Sequence, residues 1–179
     1  TEQQTFATER VKKLGIADHV RFDLRDYRLE SGVYDRIVSV GMFEHVGVKY
    51  YTQFFKKLKS LLAEDGVAVL HTIARWDGPS VTNPWLRKYI FPGGYTPSLS
   101  EVFAAIEPTG LQVLDVEILR LHYAETLKHW SANFRANRDK VKAIYDERFC
   151  RMWEFYLAGA ETAFRRQDHM IAQFQIARQ

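Results

Sequence analysis

The chain has 179 residues, of which 46% are hydrophobic and 26% charged, which is enough for one compact domain with a core but not for two. Its formal net charge of +3 is too small to indicate a nucleic-acid-binding protein in the absence of a basic stripe. The single cysteine, Cys150, excludes an internal disulfide framework and a Cys-x-x-Cys metal site, and no apolar run reaches the ~18 residues of a membrane-spanning helix.

The first half of the chain alternates between helical and strand patterns. A helix is predicted over residues 3–14, a short strand over 20–24, and a second, buried strand over 34–40. An amphipathic helix over 50–62 is followed by a third buried strand over 67–73. Apolar strands separated by helices favour a parallel sheet that is covered on both faces.

A long loop follows, over residues 74–97, with four prolines and several aromatic side chains. Loops of this length are usually functional or disordered, and the aromatic content favours an ordered, functional one. Ser98 and Glu101 have the spacing of a capping box, which predicts that a helix begins here.

The remaining elements are a strand over 111–119, a helical region over 125–166 and a final strand over 171–177. A mostly parallel sheet closed by such an antiparallel edge pair is typical of the Rossmann-like α/β fold of class I methyltransferases. The aromatic loop and the long helices could form the walls of an apolar slot. A helix stripe such as Phe149, Met152 and Tyr156, however, more often belongs to the core than to a lipid pocket.

The glycines of the chain do not form the turn that normally holds a nucleotide-type cofactor. None of the ten belongs to a G-x-G motif or lies in an early strand-to-helix turn. The simplest interpretation is a single partial domain, over residues 1–179, that lacks the first two strands of its sheet. The alternative is a complete protein with a different cofactor site or none.

Four side chains are candidates for the chemistry of the site. Glu44 and the adjacent His45 follow the second predicted strand, where loops line the ligand crevice of an open α/β sheet. His71 lies near the end of the next strand, and neighbouring strands ~5 Å apart would bring it to the same crevice. Tyr123 follows the fourth strand and could reach the same opening. Each also has a structural interpretation, as a helix-initiating acid, a surface or core histidine, or a packing tyrosine.

Asp26 and Tyr27 follow the first predicted strand. The acid could accept a hydrogen bond from an adenine amino group while the tyrosine covers the ring. A polar turn is the alternative interpretation.

Several stretches together resemble the cyclopropane fatty acid synthases, a family that includes the mycolic acid cyclopropane synthases. They are DYRLESGVYDRIVSVGMFEHVG (26–47), VLHTI (69–73), WLRKYIFPGGYTPS (85–98), the His122-Tyr123 pair before ETLKHW, and YLAGAETAFRRQD (156–168). The resemblance extends along the whole chain, and FEHVG and KYIFPGG are its most specific parts.

The resemblance implies an S-adenosylmethionine-dependent enzyme that acts on unsaturated acyl chains of phospholipids. A methyl group is added to a cis double bond, and loss of a proton from the resulting cation-like centre closes a cyclopropane ring. The family's bound bicarbonate, which takes this proton, would be held by Glu44, His71, Ile73 and Tyr123. The family's ligand set also contains an early cysteine that has no counterpart in this chain.

By the same resemblance, Gln3 would contact the ribose or amino-acid portion of S-adenosylmethionine, Asp26 and Tyr27 would flank its adenine, and the backbone of Val40 would lie near its sulfonium. No metal ion is implied. We expect a cytoplasmic protein, peripheral at the inner membrane surface, because no signal segment is recognisable.

The strands at 20–24 and 34–40 are expected to have unpaired edges, covered by a partner chain, by strand exchange between copies in a homo-oligomer, or by a further portion of the protein. We therefore expect that this chain alone neither binds S-adenosylmethionine tightly nor turns over. Two alternatives stay open: a related methyltransferase with another acceptor, such as an alkaloid or a hydroxy-mycolate precursor, and a non-catalytic interaction or regulatory module.

Overall fold

The computed structural model describes residues 2–178, in which four strands form one sheet. They are β1 (Tyr34–Val40), β2 (Leu62–Arg75), β3 (Leu111–Leu119) and β4 (His169–Arg178), in the order β1-β2-β4-β3. β1 and β2 are parallel, whereas β4 is antiparallel to both β2 and β3. Three strands therefore share one direction and β4 alone is reversed, which confirms the predicted α/β fold with an antiparallel pair at one edge.

The chain divides into two units, residues 1–32 and 33–179. The first unit contains helix α1 (Glu2–Lys13) and a 3-10 turn at Tyr27–Leu29. The second unit contains the sheet and the remaining helices: α2 (Tyr51–Leu61), α3 (Pro84–Tyr89), α4 (Leu99–Ile106), α5 (Arg120–Ala136), α6 (Arg138–Ile144) and α7 (Glu147–Arg166). No helix within residues 2–178 is long and apolar enough to cross a bilayer.

Both faces of the sheet carry apolar side chains, because residues along a strand alternate between them. On one face Leu70 is fully buried, and Phe174 of β4, its register partner, meets the ring of Phe103 in α4 at a centroid distance of 5.7 Å. On the other face, Ile171 belongs to a core cluster with side chains of α5 and α7. Cys150 is a fully buried member of this cluster.

The local signals at α4 and β3 are confirmed. The Ser98 hydroxyl accepts a hydrogen bond from the Glu101 backbone N–H, and the Glu101 carboxylate accepts one from the Ser98 N–H at 2.8 Å, which completes the capping box. β3 has the predicted bounds of 111–119. β2 begins at Leu62, earlier than the predicted 67, and therefore includes Gly66.

The strand predicted at 20–24 is wrong. These residues are irregular, and their charged side chains pair locally, with Asp23 accepting from both Arg21 and Arg25 at 2.8 Å. A β-strand exists only by hydrogen bonding to a neighbour, and no strand of the described residues pairs with this segment. An alternating pattern alone does not supply that partner.

β1 has the predicted bounds but is not buried, contrary to expectation. Val38 and Val40 are 68% and 63% exposed. The reason is positional, because β1 lies at the edge of the sheet of described residues and pairs only with β2. Its apolar sequence marks a strand that is suited to burial on both sides.

The helical stretch predicted over 125–166 is confirmed, and three successive helices, α5, α6 and α7, form it. The chain leaves helical geometry at Asn137 and again at Tyr145. The side chain of Asp146 then caps α7 by accepting a hydrogen bond from the Phe149 N–H at 2.6 Å. Helix α5 also begins before 125, so that Tyr123 lies in its first turn rather than in a loop.

Candidate active site

A cavity of about 800 Å³ opens in the second unit, beside the carboxyl end of β2. Its walls come from the predicted 74–97 loop, the 3-10 turn after β1, and helices α5 and α7. Aromatic side chains form much of the lining: Trp85, Phe91, Tyr95, Tyr123, Phe155, Tyr156 and Phe164. A mostly apolar cavity of this size, with few polar groups, is typical of a small-molecule site.

Glu44 is placed at this cavity by the turn that follows β1. Gly41 adopts a φ of 68°, which turns the chain out of the strand in the left-handed region that glycine tolerates. The 3-10 turn Phe43–His45 follows. Phe43 anchors it, since its fully buried ring stacks on that of Tyr51 in α2 at 4.0 Å. Glu44 thereby lines the cavity.

The two carboxylate oxygens of Glu44 have different environments. Oε1 accepts a hydrogen bond from the backbone N–H of Ile73 at 2.7 Å. Oε2 is buried and has no hydrogen-bond partner among the described residues. The backbone carbonyl of Glu44 accepts from the N–H of Tyr95 at 2.8 Å, which ties this turn to the 74–97 loop. The site therefore presents a buried acceptor that a ligand donor could satisfy.

Two tyrosines supply hydroxyl groups to the same cavity. Burial and the nearby Glu44 charge raise the pKa of Tyr123. Burial, together with Tyr123, raises the pKa of Tyr156 to about 12. Both hydroxyls are therefore protonated near neutral pH and can donate a hydrogen bond. The Tyr123 ring packs on Phe164 at a centroid distance of 4.9 Å.

His71 is not among the residues that line the cavity. Its Nδ1 lies 3.1 Å from Oε1 of Gln173 on β4, and the Gln173 amide donates to Glu117 on β3 at 2.7 Å. Glu44, Ile73 and Tyr123 do line the cavity. The structure thus brings together three of the four residues predicted for proton removal and places His71 in a polar chain across the sheet.

The predicted cofactor residues lie in both units, with Gln3, Asp26 and Tyr27 in the first and Val40 in the second. Asp26 accepts hydrogen bonds from the backbone and guanidinium of Arg28, and these hold the pKa of Asp26 at about 2. Asp26 is therefore an ionised acceptor at neutral pH. Gln3 is exposed on α1, Tyr27 is partly buried, and Val40 is the exposed last residue of β1.

His169 is a cavity residue that the sequence did not reveal. Its Nδ1 is buried without a hydrogen-bond partner within residues 2–178. Burial, and to a lesser extent the charge of Arg75, lowers its pKa, so the imidazole is neutral near neutral pH. The residue lies two positions before the predicted final strand. It reaches the cavity because β4 begins at His169 and pairs it with Arg75 of β2.

The small residues of α7 were also missed. Gly159, Ala160 and Ala163 line the cavity between the larger side chains of the helix. A Cβ added at Gly159 would meet no atom within 4 Å. The signal was present as three small residues at helical spacing, but a small-residue stripe does not by itself distinguish an open cavity from close packing.

The family model described as "Mycolic acid cyclopropane synthetase" matches residues 1–174. The chain is 41% identical over 172 residues to a probable fatty acid methyltransferase of Pseudomonas putida, covering 92% of this chain and 44% of that protein. It is 37% identical over 177 residues to the cyclopropane-fatty-acyl-phospholipid synthase of Escherichia coli K12, covering 99% of this chain and 45% of that protein. The chain thus spans less than half the length of these curated relatives.

Among solved structures, the chain resembles the mycolic acid cyclopropane synthase CmaA1 in complex with SAH and CTAB. The TM-score is 0.82 at 32% sequence identity, covering 94% of this chain and 65% of that one. The predicted class I methyltransferase fold is thereby confirmed. The match of nearly the whole chain to the family model, together with this likeness, shows that the chain belongs to the mycolic acid cyclopropane synthetase family.

Proposed function

We propose that the protein is an S-adenosylmethionine-dependent methyltransferase that adds a one-carbon unit to cis double bonds in phospholipid acyl chains and closes a cyclopropane ring. The observation that carries this proposal is the buried, unpartnered Oε2 of Glu44 at the wall of an apolar, aromatic-lined cavity. The named activities of the relatives, which include cyclopropane synthesis and fatty acid methylation, support the same reaction class.

The cavity suits an acyl chain. Its volume of about 800 Å³ and its apolar walls allow a hydrocarbon chain to leave water, and each buried CH₂ group contributes ~0.8 kcal/mol to binding. Gly159, Ala160 and Ala163 leave room along α7 that larger side chains would fill. The solved cyclopropane synthase is in complex with CTAB, which supports a long-chain ligand in this family.

The same walls suit a positive charge that develops on the acyl chain. The rings of Phe91, Tyr156 and Phe164 line the cavity, with the Phe91 and Tyr156 centroids 5.7 Å apart. Aromatic faces attract a cation, most strongly where water is excluded. The Glu44 carboxylate adds a negative charge at the same wall. The described residues therefore stabilise a cationic centre better than the neutral alkene.

Proton removal is assigned to the polar end of the cavity. S-adenosylmethionine, when bound, supplies the methyl group, and a bicarbonate, when bound, would accept the proton lost on ring closure. Glu44 Oε2 fits the O–H donor of a bicarbonate and Tyr123 fits its oxygen acceptors. Ile73 orients Glu44 through its N–H. His71 is engaged with Gln173, so we give Glu44 and Tyr123 the main holding role.

We also propose that S-adenosylmethionine contacts Gln3, Asp26, Tyr27 and the backbone of Val40. The ionised Asp26 fits an adenine amino donor, and Tyr27 offers an aromatic face beside it. The SAH in the related structure supports this cofactor. Because the chain has no G-x-G turn, we expect it alone to bind the cofactor weakly. A calorimetric titration that gave micromolar affinity would contradict this expectation.

The proposed reaction is tested with the full-length protein and vesicles of a cis-unsaturated phospholipid. Carbon-13 from the methyl group of S-adenosylmethionine is followed by mass spectrometry of the fatty acid methyl esters. We expect an ester heavier by one labelled CH₂ unit that resists mild hydrogenation, as a cyclopropane does. Absence of label from the lipid, with transfer to another acceptor, would overturn the proposal.

A methyl-branched product is the second candidate. It is favoured by the 41% identity to the probable fatty acid methyltransferase, against 37% to the cyclopropane synthase. Mild hydrogenation of the labelled methyl esters distinguishes the two products. A methyl-branched alkene, formed when the cationic centre loses a proton without closing the ring, takes up hydrogen, whereas the cyclopropane does not. Either product keeps the methyl transfer and the acyl acceptor, and only the fate of the cationic centre differs.

A further inference from the structure

We propose that a groove beside the cavity binds the phosphate of an anionic phospholipid while the acyl chain of the same molecule enters the cavity. This groove, the arginine groove, has a volume of about 440 Å³ and is lined by Trp85, Tyr89, Arg148, Arg151, Met152 and Phe155. The entry of the acyl chain into the cavity rests on the proposed function, whereas the binding of phosphate is argued from the residues of the groove.

The groove is built by one face of α7 against α3. Arg151 and Met152 follow Arg148 by three and four residues, and Phe155 follows them by four and three, which places all four on the same side of the helix. Trp85 and Tyr89, also four residues apart, supply the opposite wall from α3. The result combines two cationic groups with aromatic and thioether surface.

The two arginines are available to an anion. Both are exposed, and neither forms an ion pair or a side-chain hydrogen bond within residues 2–178. The adjacent carboxylates do not neutralise them, because Glu147 and Glu154 are paired with Arg138 at 2.6 and 2.8 Å. A guanidinium presents a planar fork of donors that matches the oxygens of a phosphate. An anionic phosphate is therefore the ligand whose charge complements the groove.

The groove and the cavity share a wall. Trp85 and Phe155 line both, and their ring centroids lie 4.9 Å apart in an edge-to-face arrangement. Gly159, a cavity residue, follows Arg151 by eight positions, which is about 12 Å along the helix axis. This separation suits one lipid molecule, with its phosphate at the arginines and the middle of its acyl chain in the cavity.

Exposed apolar side chains surround this part of the surface. Phe155 is 65% exposed, and Ile144 and Tyr145, just before α7, are 74% and 62% exposed. Basic and aromatic side chains on one face are typical of proteins that lie at a lipid interface, with the rings at the headgroup level and the cations on anionic lipid. A lipid surface therefore fits this face better than a soluble anion does.

The proposal is tested by vesicle sedimentation with the 179-residue chain and saturated phosphatidylglycerol in phosphatidylcholine. No cofactor or double bond is present, so failure of the proposed reaction does not affect the result. R148Q/R151Q is expected to lower the partition coefficient roughly thirtyfold, since each cation near an anionic surface contributes about fivefold. R148K/R151K, which keeps the charge, is expected to retain most of the binding.

R10Q/K56Q is the matched control, because it removes two exposed charges from α1 and α2 and leaves the groove intact. It is expected to bind nearly as well as the unaltered chain. Equal loss in both double variants, equal binding to pure phosphatidylcholine, or displacement by inorganic phosphate at constant ionic strength would overturn the proposal. So would saturable binding to a small acidic acyl-carrying protein in place of vesicles.

Discussion

The carboxylate of Glu44 accepts a hydrogen bond of 2.7 Å from the backbone N–H of Ile73, and this bond joins the segments at the ends of β1 and β2. The parallel pairing that places Val40 opposite His71 brings the turn after β1 beside Ile73. Because Oε1 is held in this way, Oε2 is left as a buried acceptor that has no hydrogen-bond partner within residues 2–178. The first prediction follows from this asymmetry.

The substitution Glu44→Gln tests the roles of the two carboxylate oxygens separately. Glutamine keeps an oxygen acceptor for the Ile73 N–H but carries no charge. We expect the unfolding free energy to change by no more than about 1 kcal/mol. Turnover of the full-length protein should fall ~10²- to 10⁴-fold, the usual contribution of proton transfer, because an amide group in place of Oε2 no longer holds the proton acceptor. Urea unfolding and the labelled methyl-transfer assay measure the two effects. Glu9→Gln, an exposed change on α1, is the control, and unaltered turnover by E44Q would refute the role.

Two substitutions at Gly159 separate an effect on folding stability from an effect on acyl-chain binding. It lies within α7, where glycine costs ~0.5–1 kcal/mol relative to alanine, and an added Cβ meets open space. Gly159→Ala is therefore expected to stabilise the fold by about that amount. Gly159→Leu should keep the added stability while its side chain fills the cavity and raises KM for the lipid at least several-fold. If G159L had an unaltered KM, the cavity would not be the acyl site.

Tyr156 makes stability depend on alkaline pH. Its pKa is raised by burial from the ordinary 10.0 to about 12. The folded protein therefore holds this proton more tightly than the unfolded chain does. The contribution is complete below about pH 10, falls between pH 10 and 12, and is lost above, with a total of ~2–3 kcal/mol.

The measurement is urea unfolding of Tyr156→Phe and the unaltered protein at several pH values across this interval. The phenylalanine variant should show a shallower decline of stability with pH. Other tyrosines of raised pKa, including Tyr123, keep some slope. Tyr145→Phe, at an exposed position, serves as the comparison, and the same decline in all three proteins would count against the assignment.

Ser98 carries the capping box of α4 and is 1% exposed. Ser98→Ala leaves the Glu101 N–H without its side-chain partner, and loss of such a cap costs ~1–2 kcal/mol. We expect a lower urea midpoint with an unchanged slope. Ser60→Ala, which removes a hydroxyl that donates to Lys57 O on the exposed face of α2, should have a much smaller effect. Equal losses would show that the capping bond is not the cause.

Local sequence signals predicted the elements whose determinants lie close together in the chain. The Ser98–Glu101 spacing predicted α4, and the bounds of β1 and β3 followed from runs of strand-forming residues. The Asp146 cap that starts α7 could have been read in the same way, three residues before Phe149. The strand predicted at 20–24 failed because strand formation requires a partner, which no local pattern contains.

The sequence by itself determined the fold class, the family and the positions of Glu44 and Tyr123 shortly after their strands. Only the tertiary structure decided that Glu44 meets the Ile73 N–H, that His71 turns to Gln173, and that Arg148 and Arg151 border the cavity wall at Phe155. The physical reason is that each of these contacts depends on strand register or on helix packing. Strand register and helix packing are set by which apolar surfaces are buried against each other. The contacting residues are 29 and 102 positions apart in the chain, so no local sequence pattern contains the information that they meet.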